Sequence, residues 1–373
     1  MHARPPAHPI GVSRRLLAGV ALAATMTAAC GSGSDDSAPT DSTLASSLAF
    51  SETTTTTAPT TTTTTAPTTT TTTRPQFHDP LTGLGRADAS PERSALAVKI
   101  DNHPSARPQA GLSSADIVFD LRAEGVTRFM AVFHSEVPAE VGPVRSSRTS
   151  DFDLLRGLDN PLYASSGGNA YVMGQVPSLP IFAVTNHTRR EYYRDGSRPA
   201  PHNLFVDPET LYGVVGDRAT ATGAPEPWFV YRADAEEPLP VGARPVEGVR
   251  VDFTNSPTVD FAWDETAGGW LRSQDGAPHL DASGQRLAPE NVVIMVTSYG
   301  VSAADPASPE VRSVGTGDLI VLTDGHRIDG TWERTTAESK PLLLSSDGEP
   351  IALTPGRTWV LFPEAGQVTE PGS

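Results

Sequence analysis

The sequence predicts an α+β protein: an N-terminal mixed α/β domain, then a mostly-β C-terminal domain (a small barrel or sandwich), both behind a disordered stalk. Three observations predict it. Buried-strand runs such as Ala95–Ile100 recur across residues 76–220, interleaved with helical patterns. Beyond residue 227, short alternating strands are broken by turns rich in Gly, Pro and Asp. Residues 31–75 carry no apolar periodicity of either kind.

The chain opens with Arg14 and Arg15, the apolar run Leu16–Met26 and then Thr27-Ala28-Ala29-Cys30. A positive region, a short apolar core and small residues before a cysteine form the pattern of a lipoprotein signal over residues 1–30, with Cys30 receiving the lipid. The other reading is an ordinary secretory signal that contains a cysteine. The apolar run is too short to span a bilayer permanently, so contact with the membrane is expected through a lipid anchor only. Cys30 is the single cysteine of the chain. No intramolecular disulfide and no cysteine-based metal or thiol chemistry is therefore available to the folded region.

Residues 31–75 form the stalk, with runs Thr53–Thr57, Thr60–Thr65 and Thr68–Thr73 separated by Ala-Pro pairs. Such a segment cannot bury enough apolar surface to offset its ordering entropy. In extended polyproline-II geometry, ~45 residues at about 3.1 Å each reach on the order of 140 Å. Thr-rich, Pro-spaced composition suits O-glycosylation as well as it suits a bare spacer.

In the first domain, residues 76–220, strands are expected at Ala95–Ile100, Asp116–Arg122, Thr127–Phe133 and Leu162–Ala164. Helices are expected over Ser150–Leu158, with Ser150 as cap and Asp151 and Asp153 at its positive end, and over Pro208–Val215. The second domain, residues 227–365, offers strands at Val249–Phe253, Thr258–Trp263, Trp270–Ser273, Asn291–Thr297, Asp318–Thr323 and Thr358–Phe362, before a short tail at 366–373. Asp324-Gly325 is a strong hairpin signal, and Asp329-Gly330 reads as a further turn. Trp263, Trp270, Trp332 and Trp359 are expected to fill the β-domain core rather than form a sugar-stacking face.

Polar residues gather at the ends of these elements. Asp101, Asn102 and His103 follow the first strand, where α/β folds commonly place ligands, and Arg107 comes soon after. Arg145, Ser146 and Arg148 precede a helix start and suit a phosphate or carboxylate; pairing with Asp151 and Asp153 is the competing structural role. His202 and Asn203 add another polar turn, as do Asn186 and His187. Glu124 and Arg128 read first as a hairpin salt bridge, while Asp101, Glu124 and His103 are the candidates for acid–base work. His78, His279 and His326 read as scattered surface residues.

Several segments together carry a resemblance. Ile100-Asp101-Asn102-His103-Pro104, Arg107-Pro108-Gln109-Ala110-Gly111-Leu112, Glu124-Gly125-Val126-Thr127-Arg128-Phe129, Gly142-Pro143-Val144-Arg145-Ser146-Ser147-Arg148 and Pro201-His202-Asn203-Leu204 are similar to the YerB-type bacterial lipoproteins. So are Ala115-Asp116-Ile117-Val118, Gly325–Trp332 and Gly356–Trp359. The resemblance covers essentially all of the chain after the stalk, with His134 and Ser165 as minor departures. It implies a two-domain extracytoplasmic body and brings no activity, because the family is one of unknown function.

The formal charge of -16 argues against nucleic acid, which a basic face attracts. There is no G-x-S-x-G elbow, no H-E-x-x-H zinc motif and no G-x-x-x-x-G-K-[ST] phosphate loop. No cofactor and no metal site is implied. The expectation is a lipid-anchored protein on the extracytoplasmic face of the membrane. Its first domain would bind an anionic or hydroxyl-rich envelope ligand through the residues above. An enzyme acting on cell-wall glycan is the alternative, and a scaffold docking an envelope protein through the β-domain is the third.

Overall fold

Leu96-Ala97-Val98-Lys99-Ile100-Asp101 buries all six of its side chains, which a strand does only when both faces of its sheet are covered. The computed structural model describes residues 76–185, 190–233 and 236–371. The lipoprotein signal with Cys30, the stalk and the Asn186-His187 turn lie outside the described residues. The N-terminal part is a mixed sheet with few helices and the C-terminal part is mostly antiparallel β, as the sequence predicts.

The two parts share one sheet of eleven strands. In chain order these are β1 (Leu96–Asp101), β2 (Ile117–Arg122), β3 (Thr127–Phe133), β4 (Leu162–Ala164), β5 (Phe182–Val184), β6 (Arg244–Pro245), β7 (Asn291–Met295), β8 (Gly315–Thr323), β9 (His326–Arg334), β10 (Leu342–Ser345) and β11 (Thr358–Leu361). Their spatial order is β6-β9-β8-β7-β11-β2-β3-β1-β4-β5, with β10 also paired to β9. The last long strand, β11, joins the halves by lying parallel to both β7 and β2. Of the other C-terminal strands, 248–252, 258–264, 269–274, 277–278 and 368–369 make a separate antiparallel sheet, and 299–302 and 305–311 pair as a hairpin.

Alternation along β1 divides the core. Leu96, Val98 and Ile100 pack with Val251, Phe261, Trp270 and Trp359, so this second sheet covers one face of the shared sheet. Ala97 turns to the other face with Leu154 and Leu155 of helix α1 (Ser150–Arg156) and with Trp228 and Trp332. Trp270, Trp332 and Trp359 are all buried, in the core role expected of them, and Trp263 packs against that core.

Two local expectations change. Ser150 does not cap α1: its hydroxyl accepts from Val311 N at 3.1 Å, and Thr149 occupies the cap position without a side-chain bond. Asp329-Gly330 is not a turn. β9 runs straight through it, and Gly330 is required because a Cβ there would strike the Leu344 carbonyl of β10. Asp324-Gly325 does make the hairpin, with φ of 48° and 70° as a type I′ turn demands.

Between the two sheets lies a fully buried ion pair, Asp120 of β2 with Arg272, at 2.9 Å and 0% exposure on both sides. The Arg272 guanidinium also sits 4.6 Å from the Trp359 ring and 5.3 Å from that of Phe129. Burial lowers the Arg272 pKa to about 10, with Asp120 opposing, and burial raises that of Asp120. Removing one partner strands the other charge. Arg272→Met is expected to cost about 3–5 kcal/mol in urea unfolding, partly recovered by adding Asp120→Asn. A loss below about 1 kcal/mol in the single variant contradicts this role for the pair.

Candidate functional site

β1 ends on Asp101, and the chain there is held by neighbours from three segments. Asp101 N donates to the Pro143 carbonyl at 2.8 Å, and the Asp101 carboxylate accepts from His103 N at 2.9 Å. Its Oδ2 lies 2.6 Å from His202 Nδ1 and 3.3 Å from Arg145 Nε. The peptide bonds before Pro108, Pro143 and Pro201 are cis. The His103 and His202 rings stack at 4.2 Å with an interplanar angle of 14°. The structure therefore brings Asp101, His103, Arg145 and His202 together from separate stretches of sequence.

These contacts fix proton positions. An ionised carboxylate only accepts, so His202 Nδ1 carries the proton toward Asp101. In the neutral ring His202 Nε2 is then an acceptor, and it makes no hydrogen bond among the described residues. Buried Asp101 thus fixes the orientation of the His202 ring. The Arg145 terminal nitrogens likewise take no protein acceptor among the described residues.

Next to this cluster stands a second one around Glu124. Arg148 grips Glu124 with two bonds, Nε to Oε1 at 2.8 Å and Nη2 to Oε2 at 3.1 Å, the forked geometry that favours arginine. Arg128 Nη2 adds a third at 3.2 Å, confirming the expected hairpin pair, and the Ser308 hydroxyl donates as well. Burial pushes the Glu124 carboxyl up, but the hydrogen bonds from Arg148 and Ser308 and the nearby guanidinium charges outweigh it and hold it at about 2. The Glu124 carboxylate is thus taken up by ion pairs and hydrogen bonds within the protein.

Arg128 is 6% exposed, and its Nε and Nη1 have no hydrogen-bond partner among the described residues. Burial, reinforced by the like charges of Arg148 and Arg145, lowers its pKa to about 10. Beneath Arg145–Arg148 runs a buried polar layer. Lys99 meets Asp151 at 2.5 Å, the Tyr163 hydroxyl lies 3.0 Å from Ser147 Oγ, and Ser147 donates to Ser165 at 2.8 Å. Ser146 and Ser166 hydroxyls sit 3.2 Å apart above it.

Three candidates turn away from this surface. Asn102 is buried and donates to Thr127 at 2.8 Å and to Gln274 at 3.0 Å. Asn203 closes its own loop, accepting from Arg194 and donating to the Asp195 and Arg198 carbonyls. Arg107 donates to the Asn102 carbonyl at 3.2 Å and lies 3.6 Å from Asp275. His279 is a correction: it is 3% exposed, with Nε2 bonded to Gln109 Oε1 at 2.9 Å. Lys99 and Tyr163 were missed. A lone Lys inside an apolar strand run is the signal that identifies the buried layer. Among the described residues no group of three or more His, Cys, Asp or Glu could hold a metal, and no helix is long and apolar enough to cross a membrane.

The depressed Glu124 pKa gives a pH signature. A carboxyl lower in the folded state adds stability above its unfolded pKa, and that stability is lost as pH falls from 4.5 toward about 2. Glu124→Gln should flatten this part of the acid-unfolding profile. A profile with unchanged slope over that window would show that the pair with Arg148 contributes nothing.

Residues 81–221 match the model described as the N-terminal domain of a protein of unknown function (DUF3048), and residues 249–360 match that of its C-terminal domain. A Bacillus subtilis (strain 168) protein named "Putative lipoprotein YerB" is 32% identical over 295 residues, covering 75% of this chain and 84% of its own. The crystal structure of the YerB protein from Bacillus subtilis superposes with a TM-score of 0.68 at 26% identity, covering 78% of this chain and 98% of that one. With both of its halves matched in order, the chain belongs to the two-domain DUF3048 family.

Proposed function

We propose that this chain is a lipid-anchored envelope protein whose body binds an anionic ligand, a phosphate or an acidic sugar, at Arg145 and the stacked pair His103 and His202. The observation that carries the reading is uncompensated positive charge. Arg128, Arg145 and Arg148 crowd two carboxylates, Asp101 and Glu124, while Lys99 is matched by Asp151. Arg148 and Glu124 satisfy each other, so Arg145 is the guanidinium with terminal nitrogens to offer. An arriving anion would also relieve the repulsion on Arg128. The Ser146 and Ser166 hydroxyls and the imidazole edges supply hydrogen bonds of the kind that hold sugar hydroxyls.

The anchor rests on Thr27-Ala28-Ala29-Cys30 and on the lipoprotein name of the Bacillus relative. An anchored body on a stalk of this length works at the extracytoplasmic face, where wall polymers carry both phosphate and carboxylate.

The test is thermal unfolding of the full chain with inorganic phosphate or galacturonate at matched ionic strength, beside Arg145→Ala. A ligand at about 100 times its Kd adds about 2.7 kcal/mol of stability, visible as a raised Tm. The expected result is a rise in the unmodified protein that Arg145→Ala loses. Equal shifts in both proteins, or none in either, count against the assignment.

A second reading has one observation in its favour. Buried Asp101 at 2.6 Å orients His202 as a general base would be oriented, with Arg145 beside it to stabilise developing negative charge. On that reading the chain hydrolyses an envelope polymer and Asp101→Asn loses turnover without losing stability. Absence of any product from wall material with the unmodified chain excludes it.

A further inference from the structure

On the opposite side of the β1 end from Arg145 lies a cleft of about 450 Å³ that the reading above does not use. Its walls are Pro104, Pro108, Pro278 and Leu280, and Arg107 and Gln274 also line it. That volume is in the range of small-molecule sites, which pair apolar walls with a few placed polar groups.

The polar groups here are oriented by a chain of hydrogen bonds with one consistent direction. Arg272 can only donate, and it donates to His279 Nδ1 and, at 2.9 Å, to Gln274 Oε1. His279 must then carry its proton on Nε2, which donates to Gln109 Oε1 at 2.9 Å. Burial and the neighbouring Arg272 charge hold the His279 pKa well below its ordinary value, in keeping with this neutral tautomer. Gln109 Nε2 therefore donates, to the Asp101 carbonyl at 2.9 Å and to Asn102 Oδ1 at 3.2 Å. Asn102 Nδ2 donates in turn to Gln274 Oε1 at 3.0 Å.

Every amide in the chain is thus fixed, and Gln274 cannot be flipped without opposing donor to donor. The arrangement leaves Gln274 Nε2 with no acceptor, although Gln274 is 2% exposed. Arg107 Nε, at the same cleft, is also without one. The other unmatched donor of this network, Arg272 Nε, belongs to a guanidinium packed among the Phe129, Phe261 and Trp359 rings. A buried amide donor left open beside a cleft incurs a desolvation cost that an incoming acceptor removes.

We infer that this cleft is a second binding site, for a small carboxylate with an apolar body. The carboxylate would accept from Gln274 Nε2 and Arg107, displacing the half-exposed Asp275, and the body would lie against Pro104, Pro108, Pro278 and Leu280. This site does not depend on the arginine cluster, because the side chains that form it are different ones.

The probe is phenylbutyrate, titrated into the full chain by calorimetry beside its neutral amide, phenylbutanamide. For a ligand of this size, binding with Kd on the order of 1 mM is expected. The neutral amide should bind at least about tenfold more weakly, since it meets Arg107 without a charge. Gln274→Leu should abolish binding, but it also removes one acceptor from each of Asn102 and Arg272, so its effect mixes binding with stability. Leu280→Glu avoids that difficulty. Leu280 is 41% exposed and outside the network, and a carboxylate there repels the probe. A tenfold or greater loss in Leu280→Glu, with phosphate binding unchanged, supports the site. No heat from the unmodified chain, equal affinity for the neutral amide, or equal affinity in Leu280→Glu overturns it.

Discussion

Two ionic groups buried between sheets draw the polar groups around them into one network, and Asp120 with Arg272 does so here, leaving Gln274 Nε2 and Arg272 Nε unmatched. Arg272 brings five donors into a space from which water is excluded. Its neighbours are accordingly acceptors or π-faces: Asp120, His279 and Gln274 on one side, and the Phe129, Phe261 and Trp359 rings on the other. The pair spans β2, from the first half of the chain, and a strand of the second. It works with β11, whose parallel pairing with β2 and β7 closes the same seam through backbone bonds. Neither half could keep this seam buried alone.

The opposite face of the shared sheet solves a related problem differently. There the buried cation is Lys99, and Asp151 at the start of α1 answers it. Asp151 also accepts from Arg148 N at 2.8 Å, so the carboxylate that neutralises Lys99 anchors the Arg145–Arg148 segment as well. Burial lowers the Lys99 pKa while Asp151 opposes the shift. One acidic residue therefore sets both the charge of the interior and the position of the arginines above it. Sequence order alone pairs Asp151 with the helix end; the sheet beneath gives it a partner with a stronger claim.

Much of the fold was legible because it depends on short-range pattern. Thr127–Phe133, Leu162–Ala164 and Pro208–Val215 have the bounds expected of them, since apolar runs and a Pro at the first helical turn are local signals. The Asp324-Gly325 turn was legible for the same reason. What could not be read depends on contacts distant in sequence. Gly330 looks like turn punctuation until β10 passes close enough to forbid a side chain. His279 looks like an exposed surface residue until Arg272 and Gln109 close over it. The arginine cluster falls between these cases. Polar residues at strand ends singled out Asp101, Arg145 and His202, which the structure brings together, but which of the arginines is already engaged is decided by Glu124, whose position the β2–β3 hairpin sets.

The end of β1 is where both sites originate, and strand geometry is the reason. Successive side chains leave a strand on opposite faces, so adjacent Asp101 and Asn102 enter different environments. Asp101 meets Arg145 and His202 on the α1 face, and Asn102 meets Thr127 and Gln274 toward the second sheet. Their backbone carbonyls are held too, that of Asp101 by Gln109 and that of Asn102 by Arg107. Both holding groups come from the segment that follows the strand, so this segment turns back and fixes its own origin. A polar tripeptide at a strand end would ordinarily fray into solvent. Here the Asp101 and Asn102 side chains and both their carbonyls are each given a partner, and the arginine surface is held by its own ion pairs together with the buried network behind it.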